Sequence, residues 1–318
     1  MLDILAISSP IYVTIFLGFM STRLGLFAKA DMRVFGKFVV NLALPALLFN
    51  ALAQRKIGDI LNVSYMLAYL AGSLAVLCLG YCWSRSVKGL APGTSTFYAM
   101  GMTCSNSSFV GYPILLLTLA PVAGVALALN VIVENVVMIP LLLVMAERSR
   151  GQSGRWHRVI GQSLARLARN PMIIGLVCGL GISLSGWDLP APVARTVNLF
   201  AMASSGLSLF VIGGALVGLP MRGMGQRAAP IAVGKLIFHP LAVLLAILAL
   251  PVLGLPALDP ALRMAAVLMA AMPMLSIYPI LAQAYGHEDF SAAALLVTTI
   301  ASFFTLSGLL WVFRHLPI

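Results

Sequence analysis

Gly101-Met-Thr-Cys-Ser-Asn-Ser-Ser-Phe-Val-Gly-Tyr-Pro-Ile-Leu115 is an apolar segment that contains small polar residues and a proline. Its last four residues, Tyr112–Leu115, have the same sequence as Tyr278–Leu281, 166 positions later. Proline interrupts a helix because it lacks a backbone N–H and clashes with the preceding turn. A bilayer tolerates such an interruption only where protein or a water-filled cavity satisfies the freed backbone groups. Two matching interrupted spans are typical of the binding site of a secondary transporter.

The composition is that of an integral membrane protein. Of the 318 residues, 61% are hydrophobic and only 9% are charged, whereas about a quarter of the residues in a soluble domain are charged. The first apolar segment lacks a basic start and runs into further segments, so we do not expect a cleavable signal peptide. The net charge of +11 is spread over short loops, which argues against nucleic acid as a partner.

Apolar runs of about 20 residues, the length that crosses the hydrocarbon core, predict ten membrane spans. We number them 1 to 10 in chain order. They cover residues 3–22, 33–53, 63–84, 94–118, 121–146, 170–187, 193–219, 229–252, 261–285 and 289–313.

Basic residues alternate between successive loops. The loops after spans 1, 3, 5 and 7 hold 13 Lys or Arg residues, and the loops after even-numbered spans hold four. The positive-inside rule therefore predicts that the odd loops are cytoplasmic and that both termini lie outside.

The longest connection, residues 147–169, separates two regions of five predicted spans each, 1–146 and 170–318. Asn41–Phe49 in span 2 lines up with Ser208–Leu216 in span 7, which supports a repeat. An odd number of spans in each half means that the second half is inverted relative to the first. We therefore predict an all-α polytopic membrane protein, an inverted five-plus-five repeat in which helices 4 and 9 are discontinuous.

Span 4 carries the densest group of polar side chains at predicted mid-membrane depth. These are Thr103, Ser105, Asn106, Ser107 and Ser108. They can serve hydrogen bonds between helices, or they can line a cavity at the helix break, where unwound carbonyls bind cations and half-helix N-termini face an anion. Gly111 would permit close approach of the backbone.

Span 9 contributes Pro273, Ser276, Tyr278 and Pro279. Two prolines six residues apart predict a longer irregular segment than in span 4. Few side chains there are polar, so we expect span 4 to supply side-chain ligands and span 9 mainly backbone groups.

Glu134 is the one acidic residue deep inside a predicted span. Such a residue is a functional candidate by default, although a neutral or paired structural carboxyl is the alternative. Asn130 lies one helical turn away on the same face. With Asn106 and Ser107, these residues predict a coupling site for H⁺ or Na⁺, since oxygen ligands suit hard cations. No other metal site is expected.

Lys235 and His239 share one face of span 8. Lys235 can extend to the membrane interface, and this is the interpretation we favour. Alternatively, it pairs with a substrate carboxylate or with Glu134. His239 precedes a proline and can simply satisfy a kinked backbone.

Several motifs together resemble the auxin efflux carrier family of permeases over essentially the whole chain. They are Asn41–Pro45, Ser105–Pro113, Asn170-Pro171, Lys235–Pro240 and Met272-Pro273 through Gly286. The resemblance implies ten helices in an inverted repeat, with helices 4 and 9 crossing at Pro113 and Pro279, and with Asn106 in contact with substrate. The implied fold is similar to that of bile acid–sodium symporters.

Bacterial members of that family are associated with malonate and similar organic acids, and the short 147–169 connection resembles theirs. The resemblance implies a secondary active transporter of small mono- or dicarboxylates, coupled to H⁺ or Na⁺, in the bacterial inner membrane. The predicted substrate-binding residues are Asn41, Pro45, Ser105, Asn106, Ser107, Ser108, Gly111, Tyr112, Pro113, Ser276, Tyr278 and Pro279. Spans 2 and 7 could form a homodimer.

Other functions are weighed against this one. An uncoupled carboxylate exporter or a channel-like facilitator would share the same fold. An intramembrane enzyme is disfavoured, because Glu134 and His239 are the only deep acid and base in the predicted spans. A phosphate-binding loop for ATP is not recognisable. The substrate, the direction of transport, the coupling ion and the oligomeric state stay open.

Overall fold

A computed structural model describes residues 2–53, 61–149, 156–187, 189–218, 225–283 and 285–315. Within these ranges the protein is helical, and its β-structure is one isolated antiparallel bridge between Ser105 and Met274. Five basic residues used to predict the orientation lie outside the described residues: Arg55, Lys56, Arg150, Arg155 and Arg222.

The chain divides into two compact units, and the first comprises Met1–Asn62, Ser107–Val131 and Leu167–Gly218. Its helices overlap predicted spans 1, 2, 6 and 7, the second part of span 4 and the first part of span 5. Its described helices are Leu2–Arg23, Lys29–Phe38, Leu44–Ala53, Tyr112–Thr118, Ala120–Ile132, Pro171–Ser185 and Ala191–Ala215, with π-helical turns at Val39–Ala43 and Ser107–Gly111.

The second unit comprises Val63–Asn106, Ile132–Arg166 and Leu219–Ile318. It contains the first part of span 4 together with span 9. Its described helices are Val63–Ser86, Pro92–Thr103, Ile139–Arg148, Trp156–Ala168, Gly225–Val233, His239–Ala249, Pro260–Ala271, Tyr278–Gln283 and Glu288–His315, with π-helical turns at Val133–Met138 and Gly234–Phe238 and a 3₁₀ turn at Pro251–Leu253.

Length and apolarity indicate candidate membrane spans in the described ranges. Six helices there are long and apolar enough to cross a bilayer: Lys29–Ala53, Val63–Ser86, Ala120–Arg148, Ala191–Ala215, Arg227–Ala249 and Phe290–His315. Shorter apolar helices at Ser107–Thr118, Pro171–Ser185 and Pro260–Ala271 coincide with predicted spans 4, 6 and 9. The predicted class, an all-α membrane protein, is confirmed, while the count of ten crossings stays a prediction.

The compact units do not follow the predicted halves of the sequence. Each unit takes helices from both sides of the 147–169 connection. The compact units show which helices pack together. An inverted repeat is instead a similarity between two segments of the sequence, and it does not require each segment to form its own unit. The division into residues 1–146, 147–169 and 170–318 therefore stays a prediction about the repeat.

Each π-helical turn in the described residues ends two positions before a proline. The prolines are Pro45, Pro113, Pro140 and Pro240. A proline in a regular α-helix clashes with the carbonyl four residues earlier and leaves it without a donor. Widening the preceding turn to π geometry relieves this conflict without breaking the helix. Pro113 therefore lies inside a continuous helical segment, Ser107–Thr118, rather than at a break.

Glycines let two long helices of the first unit pack in close contact. A Cβ atom at Gly213, in helix Ala191–Ala215, would collide with the carbonyl oxygen of Ile15 in helix Leu2–Arg23. A Cβ atom at Gly18 would collide with the carbonyl oxygen of Phe210. Small residues bring helix backbones together in this way in membranes.

Gly213→Ala is expected to destabilise the protein by about 1–3 kcal/mol, because the added methyl group overpacks a backbone contact. Thermal unfolding of the purified protein in detergent measures this effect. Gly206→Ala is the matched control, since Gly206 lies on the same helix and a Cβ atom there meets nothing within 4 Å. Equal melting temperatures for the two variants would contradict the close contact.

Candidate functional site

Spans 4 and 9 are each interrupted by extended backbone in the second unit. Helix Pro92–Thr103 ends at Cys104, whose φ of −84° and ψ of 122° are extended. Helix Pro260–Ala271 ends at Met272, with φ of −62° and ψ of 153°. Met272 precedes Pro273, and a residue before proline is disfavoured in the helical region. Proline chemistry therefore explains the break in span 9.

The two extended segments cross and pair with each other. The N–H of Asn106 donates to the carbonyl of Pro273 at 2.8 Å, and the N–H of Leu275 donates to the carbonyl of Cys104 at 3.1 Å. These bonds form the bridge between Ser105 and Met274. In a low-dielectric interior, unpaired backbone groups cost several kcal/mol (roughly 2–7). The pairing with span 9 therefore satisfies the backbone that span 4 frees at its break.

The side chain of Asn106 adds a polar contact to this crossing. It is 2% exposed, and its Nδ2 donates to the Oγ of Ser276 at 2.7 Å. Both residues were predicted as substrate ligands, one from each interrupted span. The structure brings these two predicted residues together in one unit.

Lys235 is fully buried beside the crossing, with 0% of its surface exposed. Its Nζ donates to the Oγ of Ser105 at 2.7 Å, to the carbonyl of Ala270 at 2.6 Å, and lies 2.8 Å from the Nδ1 of His239. Three acceptors match the three donors of an ammonium group. The interpretation of Lys235 as a lysine that extends to the membrane interface is therefore wrong, since the side chain ends inside the unit.

The contact of Lys235 with Ala270 has an electrostatic reason. Ala270 lies in the last turn of helix Pro260–Ala271, where carbonyl groups lack intrahelical partners. A helix C-terminus carries partial negative charge and is stabilised by a nearby cation. Lys235 thus fixes the end of the first part of span 9 and, through Ser105, the break of span 4.

His239 extends the polar cluster away from Lys235. Its Nε2 lies 2.9 Å from the Oγ of Ser73, and both residues are 0% exposed. If Nδ1 accepts from the ammonium, Nε2 carries the proton and donates to Ser73. His239 therefore has partners on both ring nitrogens, which goes beyond the predicted role of satisfying a kinked backbone.

Glu134 approaches the same crossing from the π-helical turn of span 5. Its Oε1 accepts from the backbone N–H of Ser105 at 3.0 Å and from the Oη of Tyr69 at 3.3 Å. The Oη of Tyr69 also lies 3.0 Å from the Oγ of Ser105. Glu134 is 4% exposed, so this carboxyl is held by hydrogen bonds inside the second unit.

These contacts form a continuous series of hydrogen bonds, which we call the polar chain. Each hydroxyl in it can donate one bond and accept another, so donors and acceptors can be arranged in order from the lysine to the carboxyl. A shift of protons along such a series moves charge between its ends without moving heavy atoms. The members in order are Ser73, His239, Lys235, Ser105, Tyr69 and Glu134.

Ser107 and Ser108, which follow Asn106 in span 4, make contacts in the first unit. The Nδ2 of Asn130 donates to the Oγ of Ser107 at 3.2 Å, and both residues are buried. The Oγ of Ser108 lies 3.6 Å from the sulfur of Met172. Tyr112 lines a cavity of about 570 Å³ in this unit. Asn130 and Glu134, predicted to act together, thus contact the two residues that flank Asn106.

Other predicted ligands have structural partners. Asn41 is exposed and donates to the carbonyl of Lys37 in its own helix. A Cβ atom at Gly175 would lie 2.5 Å from the carbonyl oxygen of Pro45, so Pro45 takes part in helix packing. The Oη of Tyr278 donates to the carbonyl of Phe97 at 2.8 Å.

The two prolines expected at the crossing, Pro113 and Pro279, lie beyond it in both spans. The crossing is made by residues 104–106 and 272–275, and both prolines occupy the first turn of the following helix. Gly111, the predicted point of close approach, is buried in the π-helical turn that precedes Pro113.

Tyr69 and Ser73 are functional candidates that were not predicted from the sequence. Both lie in span 3. The available signal was spacing, because Tyr65, Tyr69 and Ser73 recur every fourth position and so share a helix face. The rings of Tyr65 and Tyr69 stack at 6.2 Å with 0% exposure.

A group of three or more His, Cys, Asp or Glu side chains that could hold a metal ion does not occur in the described part of the chain. The residues predicted to bind Na⁺ each have a hydrogen-bond partner within their own unit. Glu134 accepts from Ser105, Asn106 donates to Ser276, and Ser107 accepts from Asn130.

The sequence matches a known protein family over most of its length. Residues 6–311 match the family described as membrane transport protein. The chain belongs to the membrane transport protein family. The resemblance to auxin efflux carriers is thereby confirmed, and the match extends over nearly the whole chain.

Relatives within the membrane transport protein family are distant in sequence. A protein of Rhizobium meliloti (strain 1021) named "Putative malonate transporter" is 27% identical over 316 residues, covering 99% of this chain and 97% of its own. The "Uncharacterized transporter YfdV" of Escherichia coli (strain K12) is 27% identical over 247 residues, covering 74% of this chain and 76% of its own. An "Uncharacterized transporter" of Methanothermobacter thermautotrophicus matches 33% of this chain at 26% identity.

Proposed function

We propose that this member of the membrane transport protein family is a secondary active transporter of small organic anions, mono- or dicarboxylates, that works by alternating access. The observation that carries the proposal is the crossing of two interrupted helices at Ser105 and Met274, with a fully buried lysine at the crossing. Interrupted helices that meet in this way are typical of transporter binding sites. The protein is not proposed to be an enzyme.

The architecture proposed with this function is the inverted repeat of ten spans predicted from the sequence. Its membrane is the inner membrane of a bacterium, with both termini outside. The alternation of basic loops supports this orientation. Association into a homodimer through spans 2 and 7 stays a prediction.

The chemistry near Asn106 favours an anionic substrate. Asn106 immediately precedes the helical segment Ser107–Thr118, and a helix N-terminus carries partial positive charge and unsatisfied N–H groups. The amide of Asn106 can offer a hydrogen bond if it exchanges its partner Ser276 for a substrate carboxylate. Because the Rhizobium relative is named "Putative malonate transporter", malonate is the first anion to test.

Lys235 is proposed to support the crossing rather than to bind the anion directly. Its ammonium already has three acceptors in the second unit. Contact with a substrate carboxylate would require the loss of one of these bonds. The positive charge of Lys235 nevertheless lowers the cost of bringing an anion close to the crossing.

The polar chain supports H⁺ rather than Na⁺ as the coupling ion. Helix C-termini and unwound carbonyls of interrupted helices are where transporters coordinate cations, and Lys235 donates to such a carbonyl at Ala270. A second cation there would be repelled by the ammonium. A proton can instead be taken up by Glu134, which the polar chain connects to Lys235.

Asn106→Ala tests the proposed substrate site. We expect malonate uptake into proteoliposomes to fall at least about tenfold, since loss of hydrogen bonds to a charged group costs roughly 1.5–3 kcal/mol. Uptake of radiolabelled malonate by wild type and variant, at equal protein incorporation, measures the change.

Asn170→Ala is the matched control for Asn106→Ala. Asn170 caps helix Pro171–Ser185 through a 2.9 Å bond to the N–H of Met172, so its loss costs about 1 kcal/mol of stability without touching the crossing. Unchanged malonate uptake by Asn106→Ala would remove Asn106 from the site. If the wild-type protein never raises the internal malonate concentration above its equilibrium value, an uncoupled facilitator would be favoured.

A further inference from the structure

A groove on the surface of the second unit combines an apolar lobe with a basic one. The apolar lobe has a volume of about 780 Å³ and includes Leu79, Val233 and Phe238 in its lining. Ligand sites in proteins commonly enclose about 300–1,000 Å³. These three side chains are 64%, 44% and 52% exposed, so the lobe opens at the surface of the unit.

The basic lobe is continuous with the apolar one. It has a volume of about 420 Å³, and Lys88 and Arg227 line it. Trp83, Lys88 and Pro230 line both lobes. The ammonium of Lys88 lies over the ring of Trp83, 5.5 Å from its centroid, which holds the positive charge where the two lobes meet.

We propose that this groove binds an anionic phospholipid of the bilayer. The apolar lobe takes an acyl chain, and Lys88 and Arg227 bind the phosphate of the headgroup. Tryptophan is enriched at the level of the headgroups, which fits Trp83 at the junction of the lobes. Basic pockets between membrane helices on the cytoplasmic side are known to suit anionic headgroups.

Charge patterning along the chain agrees with this occupant. Lys88 follows span 3 and Arg227 follows span 7, and both loops belong to the predicted cytoplasmic set. Anionic lipids attract basic residues near the membrane surface. A zwitterionic lipid would fill the apolar lobe equally well but would gain less from the two cations.

The groove also borders the helices that carry the polar chain. Met102 and Gly234 line the apolar lobe, and they lie three residues before Ser105 and one before Lys235. A Cβ atom at Gly234 would come within 2.5 Å of the side chain of Met102. A bound acyl chain would therefore pack on the outer side of the segments that hold the crossing together.

Native mass spectrometry of the full-length protein in detergent tests the proposal. Phosphatidylglycerol and phosphatidylethanolamine with identical acyl chains are titrated separately. We expect tighter binding of phosphatidylglycerol to wild type, and a loss of about fivefold for each basic residue removed. The double variant Lys88→Gln/Arg227→Gln should then bind phosphatidylglycerol about 25-fold more weakly.

The control double variant is Arg23→Gln/Lys29→Gln, which removes the same charge from the same predicted side of the membrane. Arg23 also lies over an aromatic ring, 5.9 Å from the centroid of Phe19, and neither Arg23 nor Lys29 lines the groove.

A variant that fills the apolar lobe, Val233→Trp, should weaken phosphatidylglycerol binding. Glycerol 3-phosphate should not compete with phosphatidylglycerol for the groove.

Several outcomes would overturn the lipid site. If wild-type protein binds phosphatidylglycerol and phosphatidylethanolamine with equal affinity, the proposal is wrong. This comparison needs no variant, so it stays valid if a variant fails to fold. An equal loss in the control double variant would mean a general effect of charge. Competition by glycerol 3-phosphate would assign the basic lobe to a soluble phosphate. A dimer that Val233→Trp dissociates would assign the groove to a second copy of the chain.

Discussion

Lys235→Met is expected to abolish transport and to destabilise the protein by about 3–5 kcal/mol, the cost of removing one member of a buried charged network. The substitution leaves the Oγ of Ser105, the carbonyl of Ala270 and the Nδ1 of His239 without their shared donor. It also removes the positive charge that the polar chain connects to Glu134. Thermal unfolding in detergent and malonate uptake in proteoliposomes measure the two effects.

Two further variants make this prediction specific. Lys37→Met is the control for loss of a positive charge, because Lys37 is exposed and should change stability by less than about 0.5 kcal/mol. The double variant Lys235→Met/Glu134→Gln should recover about 1–3 kcal/mol relative to the sum of the single variants. Strictly additive losses would show that the lysine and the carboxyl do not stabilise each other.

Hydropathy alone located the helices well. Span 3 was predicted at residues 63–84, and the helix extends over Val63–Ser86. Span 5 was predicted at residues 121–146, and a continuous helical segment covers Ala120–Arg148. The reason is physical, because a spanning segment must be apolar over about 20 residues and must satisfy its backbone internally. Both requirements are local and are therefore visible in the sequence.

The positions of the helix breaks required tertiary structure. Proline chemistry predicted an interruption at Pro113, but a π-helical turn at Ser107–Gly111 accommodates that proline. The actual break at Cys104 is paired with residues of span 9, about 170 positions away along the chain. A pairing over that separation cannot be recognised from neighbouring residues. The break before Pro273, in contrast, is predictable, because a residue that precedes proline is disfavoured in the helical region.

The polar chain was only partly predictable. Ser105, Glu134 and Lys235 were identified because polar and charged groups are rare inside membrane spans. Tyr69 was missed because tyrosine is common in apolar helices, and the role of its hydroxyl depends on the residues to which it is hydrogen-bonded. Those partners, Glu134 and Ser105, lie in two other spans.

Glu134→Gln is expected to uncouple malonate uptake from a proton gradient while leaving exchange of internal for external malonate intact. If Glu134 carries the coupled proton, an acidic exterior favours the protonated, substrate-loaded state facing outward and drives net uptake. An amide is isosteric with the carboxyl but neither binds nor releases a proton. The variant should therefore bind and exchange malonate but fail to concentrate it. Proteoliposomes with an imposed pH gradient, loaded or not loaded with malonate, separate the two activities.

Glu147→Gln is the matched control, because Glu147 lies on the same continuous helical segment and its Oε2 accepts from the Oη of Tyr285 instead of from the polar chain. This variant should keep gradient-driven uptake. Replacing Na⁺ by K⁺ should leave wild-type uptake unchanged, since Lys235 already provides the cation at the carbonyl of Ala270. Accumulation of malonate by Glu134→Gln under a pH gradient would make Glu134 a structural residue. Dependence of wild-type uptake on Na⁺ would instead mean that a second cation binds despite the ammonium of Lys235, and proton coupling through the polar chain would be wrong.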